Sequence, residues 1–291
     1  MKLVSYHSAE GLRPGALVGD DVVDISHVVG DEAQPLRSIR ELLEAGPQAL
    51  AAVNRALGTA GSCHIVGKAA DVRLGPPIAD PGKIICIGLN YRAHAAESNR
   101  EVPAYPTLFA KYSNSLVGPD DCVQVPPIED PQVDFEGELA VVIGRPASRV
   151  NVADALDHVA GVSVFNDLTA RRLQYVTTQW TNGKAVDNFG PMGPALVTLD
   201  ELPDVQHLQL RTRVNGREVQ SATTSSMIWT VAELIALITE TLTLAPGDII
   251  ATGTPEGIGA RRNPPLFLAD GDVVEVDIEH VGTLRNRMAF Q

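Results

Sequence analysis

Three acidic side chains alternate in Asp134-Phe135-Glu136-Gly137-Glu138, and the chain then runs on as Leu139-Ala140-Val141-Val142-Ile143. Alternation in a strand puts Asp134, Glu136 and Glu138 on one face, with neighbours roughly 7 Å apart. The apolar continuation takes the strand into a core and leaves the acids at its mouth. Like charges so placed raise one another's pKa unless water or a cation relieves them. The segment is therefore either a solvated strand end or one side of a divalent-metal site. A second acid bears on that choice. The apolar run 161–165 ends in Asn166-Asp167, where Asp167 is either a cleft residue or a helix N-cap. If Asp167 meets Glu136 and Glu138, the ligand set is three carboxylates with no His and no Cys. Oxygen ligation of that kind selects Mg²⁺, Mn²⁺ or Ca²⁺ over zinc, and about three octahedral positions stay open for water and substrate oxygens. An open site of this type acts as a Lewis acid rather than as a structural staple.

Other groups have the chemistry to serve such a site. In Asn90-Tyr91-Arg92-Ala93-His94-Ala95-Ala96-Glu97, helical spacing makes His94 and Glu97 i, i+3 neighbours, a general base with a carboxylate to orient it. The polar stretch 98–103 that follows has the composition of a lid. Lys184, behind a glycine in an irregular segment, is either a solvated loop lysine or a partner for an anion near the carboxylates. The run 251–259, ATGTPEGIG, offers the backbone of Gly253 and the hydroxyl of Thr254 to a carboxylate. It lacks the lysine of a phosphate loop and the spacing of a dinucleotide fold. The remaining histidines, His7, His27, His64, His158, His207 and His280, have no comparable setting.

The elements that must position these groups are mostly strands. Short apolar runs at 83–88, 139–143 and 161–165 predict buried strands. Alternation over 207–214, then Asn215-Gly216 before 217–220, predicts a type I′ hairpin. Residues 231–242 predict a helix, opened by a capping box of Thr230 and Glu233. Upstream, 16–25 reads as a hairpin, and 36–45 and 48–57 as helices broken at Gly46-Pro47. The proline- and glycine-rich stretch 75–82 is the best boundary available. The expected organisation is a small N-terminal α/β accessory domain (residues 1–75), a linker (76–82) and a strand-rich α+β core (83–291).

The chain has 291 residues with 44% hydrophobic, enough for a sizeable core, and a net charge of -13. That charge repels nucleic-acid backbones and anionic lipid, which disfavours both as partners. No apolar run is long enough to span a bilayer, and the first residues lack a secretory h-region. Three scattered cysteines, Cys63, Cys86 and Cys122, suit a reducing compartment, and the expected location is the cytoplasm.

Taken in order, GLNYRAHAAE, FAK, DFEGELAVVIG, VFNDLTAR, GKAVDNFGPMGP, PGDIIATGTPEGIG and GDVVEVDIEHVGTLRN resemble the fumarylacetoacetate hydrolase superfamily. The resemblance runs from Lys83 to about Asn286. It implies a mixed β-roll core and a homodimer. It puts Mg²⁺ or Mn²⁺ on Glu136, Glu138 and Asp167, makes His94 and Glu97 a water-activating dyad, and sets Lys184 beside the metal. Arg171, Gln174 and the Gly253-Thr254 loop match substrate-contacting positions. Two departures stand out. Lys184-Ala185-Val186-Asp187 replaces the common Lys-Ser/Thr-Phe-Asp, and Ile87 stands where fumarylacetoacetate-cleaving members carry an extra acid. Both argue against fumarylacetoacetate as substrate. What the resemblance then implies is hydrolysis of a C–C bond in an acylpyruvate, a small anionic 2-oxo acid, with a metal-held pyruvate enolate as leaving group. The alternative is isomerisation or decarboxylation of hydroxymuconate- or oxaloacetate-type 2-oxo acids through the same enolate, which needs no activated water. A third possibility, a metal-dependent binding protein without turnover, leaves the His94–Glu97 pair without a purpose.

Overall fold

The computed structural model describes residues 1–29, 35–59 and 64–291. Cys63 lies outside them, while Cys86 (buried) and Cys122 (exposed) are free thiols. The molecule is a strand-rich α+β structure built on a 12-stranded mixed sheet and a 5-stranded sheet, with a short two-stranded ribbon beside them.

The apolar runs become strands at the centre of the large sheet. Gly137–Ile143 lies between Val159–Asn166 and Ile249–Ala251, antiparallel to both. Its side chains are buried on both faces: Leu139, Val141 and Ile143 enter one apolar cluster, and Ala140 and Val142 the other. This two-sided burial is why the sequence there is continuously apolar instead of alternating. Ile249–Ala251 in turn pairs parallel to Ile84–Gly88, and Thr107–Lys111 closes that edge antiparallel to Ile84–Gly88.

Strand polarity decides where the polar residues gather. Antiparallel pairing of Gly137 with Asn166 sets the start of one strand beside the end of the other. Pairing of Ala140 with Ala251 points the end of Ile249–Ala251 the same way. Parallel pairing then carries the end of Ile84–Gly88 there as well. The segments that begin at Leu89, Glu136, Asp167 and Thr252 therefore meet at one end of the sheet.

The five-stranded sheet contains the expected hairpin, Gln209–Val214 with Arg217–Thr223. Asn215 and Gly216 both have positive φ, 51° and 78°, the backbone a type I′ turn demands. The capping box is present, with Thr230 N–H donating to Glu233 at 2.8 Å and Glu233 N–H to Thr230 Oγ1 at 3.3 Å. The helix it opens is Val231–Thr239, shorter than the expected 231–242. Arg149 N–H takes the Thr239 carbonyl at 2.8 Å, so the last turn is held by a tertiary partner and the helix cannot extend through it.

The N-terminal segment forms the meander Lys2–Ser8, Gly11–Val18, Asp21–Asp24 and His64–Lys68, with helices Ile39–Glu44 and Pro47–Leu57 on one side. It does not build a separate sheet. Lys2 and Leu3 pair with Val197 and Leu196 of Gly190–Thr198, which makes the meander an extension of the central sheet. The proline-rich stretch after Leu74 runs into the interior, and Ile78 is only 1% exposed.

Candidate active site

Glu136, Glu138 and Asp167 present carboxylate oxygens that all lie within 4.8 Å of one another, each residue buried. The local geometry explains how. The strand breaks at Phe135-Glu136, between Val133–Asp134 and Gly137–Ile143. There the Glu136 N–H donates to the Asn166 side chain at 3.1 Å, and its carbonyl accepts from Asp167 N–H at 2.8 Å. Asn166 thus substitutes for a ladder partner and locks Asp167 against the two glutamates. Asp167 does not cap a helix, because Arg171–Gln174 starts after Ala170.

Asp134 departs from the expected common face. The same break turns its carboxylate away, to accept from Gly259 N–H at 2.7 Å, Ala260 N–H at 3.0 Å and Arg171 Nε at 2.8 Å. It anchors the glycine-rich loop and an arginine rather than joining the cluster.

Three buried cations answer the acids. Lys184 Nζ donates to Glu136 at 2.7 Å and to Asp167 at 2.6 Å, and lies 5.1 Å from the Phe109 ring centroid. Arg171 bridges Asp134 and Glu136 at 2.8 and 2.6 Å, and donates to Gln174 at 3.0 Å. Lys111 Nζ holds Asp167 at 2.6 Å, the Leu168 carbonyl at 3.1 Å and the Lys184 carbonyl. Lys111 was not among the site residues expected from the sequence. Its signal was present in the Phe109-Ala110-Lys111 run, a charge at the end of an edge strand.

The electrostatics separate the carboxylates. Burial would raise Glu136, but Lys184 and Arg171 outweigh it, with help from His94, and hold the carboxyl at about 2. Glu138 is pushed well above the usual carboxylate range, by burial first and then by Asp167 and Glu136. Its hydrogen-bond partner is the Gly253 N–H at 2.9 Å. A buried carboxylate with one neutral donor and two anionic neighbours lacks a counter-charge in direct contact, and a divalent cation on the three acids would supply it. The donor set therefore fits a hard, oxygen-seeking cation.

Gly253 reaches Glu138 only because its φ is +100°, and a Cβ there would come within 2.7 Å of Asn90 Cβ. Its contact is thus to a candidate metal ligand. The Thr254 hydroxyl donates to the Gly137 carbonyl at 3.0 Å and accepts from Gln220 at 2.9 Å, which fixes the loop to the start of the acidic strand.

His94 and Glu97 form the expected pair, 2.7 Å apart at Nδ1, on the helix Arg92–Glu97. The other Glu97 oxygen accepts from Gly257 N–H at 2.9 Å, so the dyad is docked onto the glycine-rich loop. His94, Glu136, Arg171, Gln174, Lys184 and Thr254 all line one cavity, partly open to solvent. Its exposed side holds Arg100, from the 98–103 stretch expected to form a lid, with Trp180 and Arg261, which the sequence did not single out. His207 pairs with Asp204 on the surface, and none of the other histidines lines the cavity.

Among the described residues, no helix is long and apolar enough to cross a membrane. Residues 83–289 match the family model described as Fumarylacetoacetate (FAA) hydrolase C-terminal. The mitochondrial oxaloacetate tautomerase fahd2 of Xenopus laevis is 41% identical over 98% of this chain and 89% of its own length. That name gives the cytoplasmic expectation no support. The crystal structure of 2-hydroxyhepta-2,4-diene-1,7-dioate isomerase from Mycobacterium marinum is 34% identical, covers 100% of this chain and 99% of its own, and superposes with a TM-score of 0.76. Maleylpyruvate hydrolase from Sphingobium sp. SYK-6 is 31% identical over 100% of both chains, with a TM-score of 0.82. Over most of its length the chain belongs to the fumarylacetoacetate hydrolase family.

Proposed function

We propose that this chain is a divalent-metal-dependent enzyme that interconverts the keto and enol forms of a small 2-oxo dicarboxylic acid of the oxaloacetate kind. This is the alternative raised by the sequence. It is preferred to acylpyruvate hydrolysis because a relative of near-complete coverage is named for oxaloacetate tautomerisation. The observation that carries it is the pairing of a base and an acid over the carboxylate cluster. With Nδ1–H donated to the Glu97 carboxylate, the neutral imidazole of His94 presents the lone pair of Nε2 to the cavity it lines. Lys184 has two of its three protons on Glu136 and Asp167, which leaves one for a ligand. Its pKa is raised because those two acids outweigh burial, so it stays charged and acts as a donor, never as the base.

Glu136, Glu138 and Asp167 would hold Mg²⁺ or Mn²⁺, which when bound supplies positive charge to an enolate oxygen. His94 removes a proton from C3 of the keto acid, and the electron pair moves to the C2 oxygen. Lys184 hydrogen-bonds that oxygen as its charge develops, and the proton that His94 took from C3 is passed to the oxygen to complete the enol. The reverse direction returns the proton to C3 through His94, with Lys184 again hydrogen-bonded to the oxygen. Lys111, with all three protons committed, positions Asp167 and the Lys184 backbone without touching substrate.

Hydrolysis of an acylpyruvate is the second reading. The same His94–Glu97 pair suits activation of water, and maleylpyruvate hydrolase shares the fold. Metal-replete protein should accelerate the decay of enol oxaloacetate absorbance, and a chelator should abolish the effect. Release of pyruvate from acylpyruvates without any effect on the enol would reverse the order of the two readings.

A further inference from the structure

Two arginines line the active-site cavity without a carboxylate to answer them. Arg100 and Arg261 are both solvent-exposed, and among the described residues neither side chain makes a salt bridge. The backbones that carry them are nevertheless fixed. Asn99 adopts a left-handed conformation, φ 51°, and Arg100 N–H returns to the Ala95 carbonyl at 2.9 Å, a Schellman closure of the His94 helix. Arg261 ends the turn Gly259–Arg261, whose first two N–H groups are held by the buried Asp134. Its neighbour Arg262 is spent on the backbone carbonyls of Gly257 and Val219, so the two adjacent arginines have separate fates.

The Arg100 guanidinium lies 5.9 Å from the Trp180 ring centroid. Trp180 in turn meets Phe109 edge-on, with centroids 5.4 Å apart, and Phe109 backs Lys184. A guanidinium held near an aromatic face by cation–π attraction keeps its N–H groups free for an anion. Of the described residues lining the cavity, Glu136 alone carries a carboxylate, and Lys184 and Arg171 already engage it. The mouth is thus a cationic patch with open donors on a protein of net charge -13.

Resting on the tautomerase reading above, we propose that Arg100 and Arg261 form a second anion subsite, which grips the carboxylate at the far end of the substrate. The carboxylate cluster would hold the 2-oxo acid end, and the arginine pair selects dicarboxylates over monocarboxylic 2-oxo acids of the same length.

The test compares oxaloacetate with 2-oxobutanoate, which has a methyl group in place of the distal carboxylate. Both are titrated calorimetrically into Mg²⁺-loaded wild-type protein, an Arg100→Gln/Arg261→Gln variant and an Arg100→Lys/Arg261→Lys variant. The wild type should bind oxaloacetate about tenfold more tightly than 2-oxobutanoate, in line with charge-assisted hydrogen bonds at a solvent-exposed site. The glutamine variant should bring the two affinities within about twofold by weakening oxaloacetate alone, and the lysine variant should recover part of the preference. A preference that survives in the glutamine variant overturns the subsite, and so does equal weakening of both ligands. A wild-type preference that the glutamine variant abolishes, in a protein that does not interconvert keto and enol oxaloacetate, upholds the subsite and refutes the tautomerase reading.

Discussion

Lys111 is the most demanding test of how the site is held together. Its side chain is fully buried, and its ammonium has three acceptors: Asp167, the Leu168 carbonyl and the Lys184 carbonyl. Lys111→Met keeps most of the volume and the unbranched stem while deleting the charge and all three donors. The four buried acids Asp134, Glu136, Glu138 and Asp167 would then face only Arg171 and Lys184. Removing one partner of a buried ion pair costs roughly 3–5 kcal/mol, because the other charge is stranded. At about 2–4 °C per kcal/mol for a chain of this size, the melting temperature should fall by roughly 10 °C. Thermal unfolding followed by circular dichroism, with and without Mg²⁺, measures it. Bound metal stabilises the native state by mass action and relieves the stranded acids, so Mg²⁺ should raise the variant's melting temperature more than the wild type's. A variant melting within about 2 °C of wild type would refute the claim that Lys111 neutralises this cluster.

His94→Ala should reduce keto–enol turnover by roughly 10²–10⁴-fold while Mg²⁺ binding persists, since it removes a base and not a ligand; steady-state kinetics beside metal titration separates the two effects. Gly253→Ala should destabilise the fold by about 1–3 kcal/mol, because φ +100° is strained for any other residue, and denaturant unfolding reads it. The pH dependence has a defined sign. Glu136, held at about 2, contributes stability that is present above its ordinary 4.5 and is lost as pH falls toward 2. Glu138 is raised above 4.5, so its contribution is present below 4.5 and is lost as pH rises through its native value. Metal-free protein should therefore lose melting temperature, relative to Mg²⁺-loaded protein, as pH rises from 5 to neutrality. Mg²⁺ uptake at pH 6 should release protons, measurable by calorimetry in buffers of different ionisation enthalpy; uptake without proton release counts against Glu138 as a ligand.

The strands around the site were legible because two-sided burial leaves continuous apolar runs, as in 139–143 and 161–165, and because Asn215-Gly216 has few conformations open to it. The cluster of Glu136, Glu138 and Asp167 was legible as a possibility: strand ends bearing acids predict a mouth, but only antiparallel register makes two mouths coincide. Asp134 misled for a local reason. Strict alternation assumes an unbroken strand, and the Asn166 side chain replaces a ladder bond at Glu136, which sends Asp134 to the loop. Lys111 was missed because its three acceptors come from residues 56 or more positions away, a relation that no window of sequence contains. The first 75 residues look separable by composition, yet whether their strands join the core sheet depends on the Lys2–Val197 pairing, equally invisible along the chain.

The charge of the site explains how so acidic a protein can attract a dianion. Asp134, Glu136, Glu138 and Asp167 against Lys111, Arg171 and Lys184 leave a formal -1 when all are ionised, and a divalent cation turns this to +1. Arg100 and Arg261 add two further charges at the mouth. The acids therefore do two jobs. They create the demand for the metal, and by neutralising the buried lysines and arginine they keep the interior from being too cationic to fold. The field that a substrate meets is set by what is left over, and with the two arginines counted a divalent ion raises that remainder from +1 to +3. Affinity for a 2-oxo diacid should thus fall when the metal is removed even though every arginine and lysine remains. Oxaloacetate binding that persists undiminished in chelator-treated protein would contradict this ordering.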